Sequence, residues 1–157
     1  MLDGSNQSVR RILSELRPGI LDEHGLLEAI EWLRRQFTES TGIPVKFTTT
    51  VKNIKVSEQI AICIFRIYQE AFTNITRYSH AKNVSSSIGI IEGNIILNIE
   101  DDGIGFDTGS LQNKKSFGIL GMKERVLALG GKFALVSSPD YGSKITVDLL
   151  MGYRNKG

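Results

Sequence analysis

The 157 residues suffice for one domain with a buried core, and 41% hydrophobic with 23% charged residues is ordinary for a soluble globular protein. The net charge of +2, with both signs interspersed, gives no electrostatic reason to expect nucleic-acid or membrane binding. The single cysteine, Cys63, excludes an internal disulfide, and no apolar run reaches the roughly 18 residues of a membrane span. Without a signal-peptide pattern at the amino terminus, we expect a cytoplasmic chain, whether or not a longer parent protein is membrane-anchored.

Apolar spacing in the first half predicts helices with one strand between them. Residues 9–16 have helical spacing and stop before Pro18, and residues 26–39 form an amphipathic helix. Residues 45–51 alternate as a strand. A long, largely apolar helix begins at Ser57 and runs to about Ser79.

The second half predicts four strands and one helix. The strands cover residues 84–91, 94–100, 132–137 and 144–150. A polar stretch at 107–116 predicts a mobile loop, and the helix at 119–129 ends at Gly130. This order of elements favours an α+β fold: a two-layer sandwich whose mainly antiparallel sheet is covered on one face.

The long helix places oxygen-bearing side chains beside a buried stripe. Its apolar residues share one sector at helical spacing: Ile60, Ile64, Ile67, Ala71 and Ile75. Glu70 and Asn74 lie four residues apart at the edge of that sector, and Arg77 follows one turn later. Carboxylate and amide oxygens suit Mg²⁺ with phosphate ligands. The alternative is an exposed polar stripe.

The strand at 94–100 runs into two aspartates. Strand alternation puts Asp101 in line with the buried apolar row and turns Asp102 to the other face. A carboxylate that ends a buried row needs a donor, and the exocyclic amine of adenine is a suitable one. Gly103 and Gly105 allow a sharp turn and close approach by a ligand. The alternative is an ordinary Asp-Gly turn.

Gly118 and Gly121 stand at the predicted opening of the next helix, where free backbone N–H groups and the helix dipole attract phosphate. Their spacing matches neither the dinucleotide fingerprint nor a P-loop. They could equally be hinge or packing glycines.

Together and in this order, the three segments resemble the ATP-binding catalytic domain of sensor histidine kinases, in the GHKL superfamily. Residues 65–75 look like its N box, 101–106 like its first glycine box and 118–125 like its second. Residues 16–26 are similar to the linker in the subfamily of nitrate and membrane-fluidity sensors. The resemblance implies a Bergerat-type fold with a mixed, mainly antiparallel sheet. It also implies that residues 1–18 are a remnant of a dimerisation helix and 19–157 the catalytic domain.

The resemblance assigns roles at the matching positions. Asn74 would hold Mg²⁺ against the ATP phosphates, and Glu70 would act as, or help position, the general base for an acceptor histidine. Arg77 would lie near phosphate, and Asp101 would accept the adenine amine. The other implied ATP-binding residues are Gly103, Gly105, Gly118, Ile119, Gly121 and Ser143. The implied partners are the dimerisation domain of the same kinase, in a homodimer, and a response regulator.

The sequence departs from the family pattern at several positions. Tyr78 stands where the subfamily usually has histidine, and Ser143 stands where Gly-Thr is usual, with a hydroxyl that can still donate. The motif around the phosphoacceptor histidine has no match, and His24 and His80 are more simply structural or solvated. Lys114 and Lys115 fall in the predicted loop, where a solvated pair is favoured over a γ-phosphate contact.

Two other functions remain open. One is a GHKL serine kinase of the anti-sigma type, which the residues between 16 and 25 disfavour because such kinases lack a dimerisation helix there. The other is a non-catalytic module in which ATP only sets a conformation.

Overall fold

The computed structural model describes residues 19–106 and 114–151 of the chain. Three α-helices, one π-helical turn and five strands follow one another in this part of the sequence. They are α1 (Gly19–Thr41), β1 (Val45–Thr49), α2 (Glu58–Asn74), the π turn (Ile75–Ser79), β2 (Val84–Ile91), β3 (Asn94–Asp101), α3 (Lys114–Ala128), β4 (Lys132–Ser137) and β5 (Ser143–Leu150).

The five strands form one mixed sheet in the order β1-β2-β3-β5-β4. β1 pairs with β2 in parallel, and the other three pairs are antiparallel. Burial alternates along β3 and β5, because successive side chains of a strand point to opposite faces. One face therefore carries the core and the other faces solvent, which confirms the predicted two-layer α+β architecture.

The helices cover the apolar face of the sheet, and α2 lies at the centre of the core. The five residues of its predicted stripe, from Ile60 to Ile75, are all buried. Ser57 caps its amino terminus, where the hydroxyl accepts a hydrogen bond from the Ile60 N–H at 3.2 Å. Phe72 stacks on Phe37 of α1 with ring centroids 4.7 Å apart, so the two helices meet through aromatic packing.

Two helices begin earlier than their apolar spacing predicts. α1 begins at Gly19 rather than at residue 26, and Gly25, with φ 85° and ψ 177°, interrupts it. The sequence prediction placed the start of the helix directly after this interruption at Gly25. α3 begins at Lys114 rather than at residue 119, so Lys114 and Lys115 are helical instead of lying in a loop. Both lysines favour helix, whereas Gly118 had suggested a boundary.

The remaining predicted boundaries agree to within a few residues. β1 ends at Thr49 instead of 51, and β3 and β5 each gain one residue. The predicted helix at 9–16 and the loop residues 107–113 lie outside the described residues, as does the proposed boundary after residue 18. Of the helices in the described ranges, none is both long enough and apolar enough to cross a membrane.

Candidate functional site

The carboxyl end of α2 forms one wall of a pocket. The helix changes there to the π turn, a wider geometry that often marks functional sites, and ends at His80 with left-handed φ and ψ of 54° and 33°. Asn74 and Ile75 face the pocket, as does Ser79, which is only 6% exposed. The Ser79 hydroxyl donates to the Ile75 carbonyl at 2.9 Å and accepts from the Ala81 N–H at 3.0 Å, which fixes the end of the helix.

The opposite wall lies at the end of the sheet, where Asp101 and Ser143 line the pocket and belong to a row of four cross-strand neighbours. Val84 pairs with Asp101, Asp101 with Ser143, and Ser143 with Ser137. Facing residues of paired strands lie on the same side of the sheet, so all four belong to the inner face. Asp101 is only 6% exposed, and one of its carboxylate oxygens accepts the Gly103 N–H at 2.8 Å.

Asp102 faces away from the pocket, as strand alternation predicts. Its carboxylate accepts the backbone N–H groups of Lys82 and Asn83 at 2.8 and 2.9 Å and the Asn83 side-chain amide at 3.0 Å. These hydrogen bonds, those from Asn83 first, hold the pKa of the Asp102 carboxyl below its usual value. Asp102 therefore fastens the loop after the π turn, whereas Asp101 is left to face the pocket.

Three glycines let the loops around Asp101 approach one another closely. A Cβ at Gly103 would lie 2.2 Å from the Ser79 carbonyl oxygen, and one at Gly105 would lie 2.1 Å from that of Ser138. A Cβ at Gly142 would lie 2.2 Å from the Asp101 carbonyl oxygen. Gly105 and Gly142 also have positive φ, 65° and 76°. The wall of the pocket is thus built from backbone contacts that tolerate no side chain.

Backbone hydrogen bonds also hold these loops together. The Ile104 N–H donates to the Ser79 carbonyl at 2.7 Å, and the Ile104 carbonyl accepts the Asp140 N–H at 2.5 Å. The turn after β3 is therefore bonded on one side to the end of the π turn and on the other to the β4–β5 turn.

Apolar side chains line the rest of the pocket. They come from α2, the sheet and α3: Ala71, Ile75, Ile99, Leu135, Ile145, Ile119 and Met122, with Phe106 at the edge. The empty space among the lining residues is about 460 Å³, part of it open to solvent. A concave apolar pocket with a few convergent polar groups suits a flat heterocycle with a polar edge.

Glu70 lies against α3, outside the residues that line the pocket. A Cβ at Gly118 would lie 2.2 Å from a Glu70 carboxylate oxygen, so the carboxylate occupies the space that Gly118 leaves. Because α3 begins at Lys114, Gly118 is in its second turn and its N–H lies within the helix rather than at a free end. The prediction that Gly118 opens the helix is therefore wrong.

The structure brings five of the predicted residues together around the pocket: Asn74, Asp101, Gly105, Ile119 and Ser143. Gly103 is buried, and its N–H donates to the Asp101 carboxylate. Arg77 is exposed and does not line the pocket, and no atom would contact a Cβ at Gly121. Glu70 and Gly118 form a separate contact beside the pocket.

Sequence reasoning missed Ser79, Ser137 and all of the apolar lining except Ile119. The apolar residues looked like ordinary core. Ile99, two residues before Asp101, and Ile145, two residues after Ser143, share a strand face with those polar residues, which would have placed them in the site. Ser137 gave no signal of its own, because its role depends on a register that only pairing with β5 creates.

Two buried groups that titrate lie in the core around α2. Burial raises the pKa of the Cys63 thiol to about 11, against a smaller opposing effect of the Arg125 charge. Burial likewise raises the pKa of Tyr68, whose hydroxyl contacts the Ser86 hydroxyl. Both groups therefore stay protonated at neutral pH and serve packing. Within residues 19–106 and 114–151, no three His, Cys, Asp or Glu side chains cluster so that they could hold a metal ion.

Comparison with known proteins places this chain among ATP-binding proteins of one family. The sequence from residue 60 to 152 matches the family described as histidine kinase-, DNA gyrase B-, and HSP90-like ATPase. The chain is 34% identical over 149 residues to the signal transduction histidine-protein kinase/phosphatase DegS of Brevibacillus brevis, covering 95% of this chain and 38% of DegS. It is 37% identical over 151 residues to the signal transduction histidine-protein kinase/phosphatase UhpB of Salmonella typhimurium, covering 96% of this chain and 29% of UhpB.

The fold also matches that of the Acinetobacter baumannii histidine kinase AdeS, with a TM-score of 0.70 and 17% sequence identity over 97% of this chain and 82% of the other. The chain belongs to the histidine kinase-, DNA gyrase B- and HSP90-like ATPase family, and its fold is the GHKL ATP-binding fold. The predicted family and fold are thereby confirmed. The chain spans only about a third of the length of the two relatives.

Proposed function

We propose that this chain is the ATP-binding catalytic domain of a two-component sensor histidine kinase, which transfers the γ-phosphate of ATP to a histidine outside the chain. The observation that carries the proposal is the convergence of Asn74, Asp101 and Ser143 on one apolar pocket in a member of this ATPase family. The names of the similar proteins support a histidine as acceptor, because DegS and UhpB are both called histidine-protein kinases.

The sheet end of the pocket would hold the adenine ring. The apolar side chains would cover its faces, and the Asp101 carboxylate would accept a hydrogen bond from its exocyclic amine. Gly103 and Gly105 would shape the pocket floor, and Ser143 would contact the polar edge of the ring. Close backbone packing around Asp101 supports this assignment, since it fixes the carboxylate before any ligand binds.

The α2 end of the pocket would hold the phosphates. The oxygen ligands available there suit a Mg²⁺ ion that arrives with the nucleotide. The Asn74 amide oxygen would be one ligand, and phosphate oxygens and water would be the others. When bound, Mg²⁺ would neutralise charge on the phosphates. Glu70, one turn before Asn74, would draw the proton from the acceptor imidazole. Arg77 and Gly121 stay predicted phosphate contacts, and Gly118 and Ile119 stay predicted ATP-binding residues.

The acceptor histidine would belong to a dimerisation domain of the same kinase, and a response regulator would receive the phosphate. The chain covers 29% of UhpB, which leaves room for such a domain in a longer protein. We propose a homodimeric parent protein whose catalytic domain lies in the cytoplasm and contacts neither nucleic acid nor membrane. The even mixture of acidic and basic residues supports the absence of such contacts.

Phosphoryl transfer in trans tests the proposed activity. The full chain is mixed with MgATP, labelled at the γ-phosphate, and with a dimerisation domain from a kinase similar to it. We expect label on that domain that is lost in acid and kept in alkali, and no label with the Glu70→Gln variant, which should still bind ATP. Acid-stable label on serine would favour the anti-sigma type of kinase. ATP binding without any transfer would favour the sensing module.

Asn74→Ala tests the proposed magnesium position. We expect it to remove the magnesium-dependent part of ATP affinity, because the variant lacks the amide oxygen that would complete the metal's ligands. Calorimetric titrations of ATP with and without Mg²⁺ measure that part directly. An unchanged MgATP affinity in the variant would exclude the assigned role. Thr73→Ala, at the preceding half-buried position outside the pocket lining, is the matched control.

A further inference from the structure

Ser137 is the last residue of β4, and its hydroxyl makes three hydrogen-bonding contacts. It accepts the Phe106 N–H at 3.0 Å, contacts the Gly142 carbonyl oxygen at 2.9 Å and contacts the Ser143 hydroxyl at 2.8 Å. It thus joins the glycine turn after β3 to the residue that lies beside Asp101 in the cross-strand row.

The direction of these bonds follows from proton counting. A serine hydroxyl has one proton to donate and two lone pairs that accept. The carbonyl of Gly142 can only accept, so the Ser137 proton must point to it. The Phe106 N–H takes one lone pair of Ser137, and the other remains for Ser143. All three contacts are hydrogen bonds only if Ser143 donates its proton to Ser137.

This arrangement fixes whether the Ser143 hydroxyl donates or accepts hydrogen bonds in the pocket. With its proton committed to Ser137, the Ser143 oxygen can only accept hydrogen bonds from a ligand. Its neighbour in the row, the buried Asp101 carboxylate, is also an acceptor. The Ser143 hydroxyl keeps the donor capacity expected from the sequence, but its proton goes to Ser137 and not into the pocket. The polar end of the pocket has two adjacent acceptors, which match an amino group and oppose a carbonyl group.

We propose that Ser137 is a positioning residue that selects 6-amino over 6-oxo purine nucleotides by holding Ser143 in its acceptor orientation. The proposal rests on nucleotide binding in this pocket, as proposed above, and adds the origin of base selectivity. Ser137 does not line the pocket itself and acts only through Ser143. The 6-oxo group of a ligand can receive a hydrogen bond from Ser143 only when Ser143 turns its proton into the pocket, which breaks its bond to Ser137.

The ratio of the affinities for ATP and inosine triphosphate tests this role. Inosine triphosphate carries a 6-oxo group and an N1–H where ATP has a 6-amino group and a bare N1. Calorimetry on the full chain gives the ratio of the two affinities. We expect the unaltered protein to favour ATP at least about tenfold and Ser137→Ala to lower this ratio about threefold to tenfold, the worth of one hydrogen bond.

Three further variants separate positioning from simple support. Ser137→Thr keeps a hydroxyl and should keep the ratio within about twofold, and Ser138→Ala, at the exposed neighbouring position, should not change it. Ser143→Ala should lower the ratio, because it removes an acceptor that matches the 6-amino group of ATP and opposes the 6-oxo group of inosine triphosphate. In the Ser143→Ala background, Ser137→Ala should lower the ratio no further.

Several results would overturn the proposal. Equal weakening of both nucleotides by Ser137→Ala would show that the residue supports the fold without setting selectivity. An undiminished effect of Ser137→Ala in the Ser143→Ala background would show that it does not act through Ser143. An unchanged ratio in Ser143→Ala would refute the acceptor role, even if Ser137→Ala failed to fold. Failure of the unaltered protein to bind ATP would overturn the proposed function as well.

Discussion

The two ends of the pocket are built differently. At the sheet end, Asp101 is held between loops whose backbones touch at three glycines, and the hydroxyl of Ser137 has every hydrogen-bonding position filled. At the helix end, Asn74 is half-buried, Arg77 is exposed and Glu70 rests against Gly118. Backbone contacts fix the first end, whereas the second depends on side chains that can move.

Under the proposed function, this difference separates recognition of the base from phosphoryl transfer. A base-binding end that is preorganised loses little entropy on binding and can discriminate sharply between ligands. A phosphate end made of adjustable side chains can take its working geometry when the nucleotide and the acceptor arrive. Substitutions at the sheet end should therefore cost stability and affinity together, and those at the helix end should cost activity at nearly constant stability.

The largest effect is expected from Gly142→Ala, measured against Gly42→Ala. Both glycines have nearly the same φ, 76° and 78°, but a Cβ at Gly142 would meet the Asp101 carbonyl oxygen at 2.2 Å, whereas one at Gly42 would meet nothing within 4 Å. Gly42→Ala should cost about 1 kcal/mol of unfolding free energy from backbone strain alone. Gly142→Ala should cost at least about 2 kcal/mol more and abolish ATP binding.

Urea unfolding and ATP calorimetry on both variants make this comparison. Equal destabilisation by the two substitutions would mean that the contact with Asp101 can relax freely. The sheet end would then be no more rigid than the helix end, and the contrast between them would fail.

Asp101→Asn should weaken ATP binding roughly 10- to 100-fold, because a charged acceptor is lost and an amide must turn its oxygen to both Gly103 and the ligand. The fold should survive, since the asparagine oxygen can still accept the Gly103 N–H. Calorimetry with ATP measures the change. Equal affinity in both proteins would refute recognition of adenine by Asp101.

Much of the sheet end could be predicted from the sequence, because it follows from local periodicity. Alternation along β3 selected Asp101 as the inward aspartate, and the buried row confirms this choice. The need for glycine at positions 103 and 105 followed from the turn that must come after the strand. The resemblance to a kinase family added Ile119 and Ser143, because a motif records tertiary neighbours that periodicity does not.

The rest depended on contacts between distant segments. The bonds of Ser137 need β4 paired with β5 in one register and the β3 turn folded against both. Gly118 was predicted to open a helix because glycine often marks a boundary, yet the helix passes through it. Its absent side chain makes room for Glu70, 48 positions earlier in the chain. No local pattern contains that information.

Gly118→Ala and Gly121→Ala test the helix end with smaller effects. Both glycines lie inside α3, but only a Cβ at Gly118 would meet another atom, the Glu70 carboxylate oxygen. Gly121→Ala should stabilise the fold by about 0.5–1 kcal/mol through helix propensity. Gly118→Ala should displace the flexible end of Glu70 and lower phosphoryl transfer about tenfold or more, with ATP affinity within about threefold.

Transfer assays and calorimetry on the two variants distinguish these outcomes. If Gly118→Ala transferred phosphate at the rate of Gly121→Ala, the position of Glu70 against α3 would have no bearing on the reaction.

The smallest effect should come from Asp102→Asn, the neighbour of Asp101 on the opposite face. Its carboxyl pKa is lowered by bonds from Asn83 and Lys82, so the ionised form stabilises the fold above the unfolded pKa of about 4, and this contribution is lost as pH falls through the lower folded pKa. Since Asp102 is exposed, the contribution should be below about 1 kcal/mol.

Thermal unfolding from pH 7 to pH 2 should therefore show a small deficit in Asp102→Asn that shrinks with acid, while ATP affinity at pH 7 stays unchanged. Two adjacent aspartates would then differ in function only because a strand turns one inward and the other outward. Loss of ATP binding in Asp102→Asn comparable to that in Asp101→Asn would contradict this division. It would mean that the loop fastened by Asp102 sets the geometry of the pocket, and that the rigid end extends to residues 80–83.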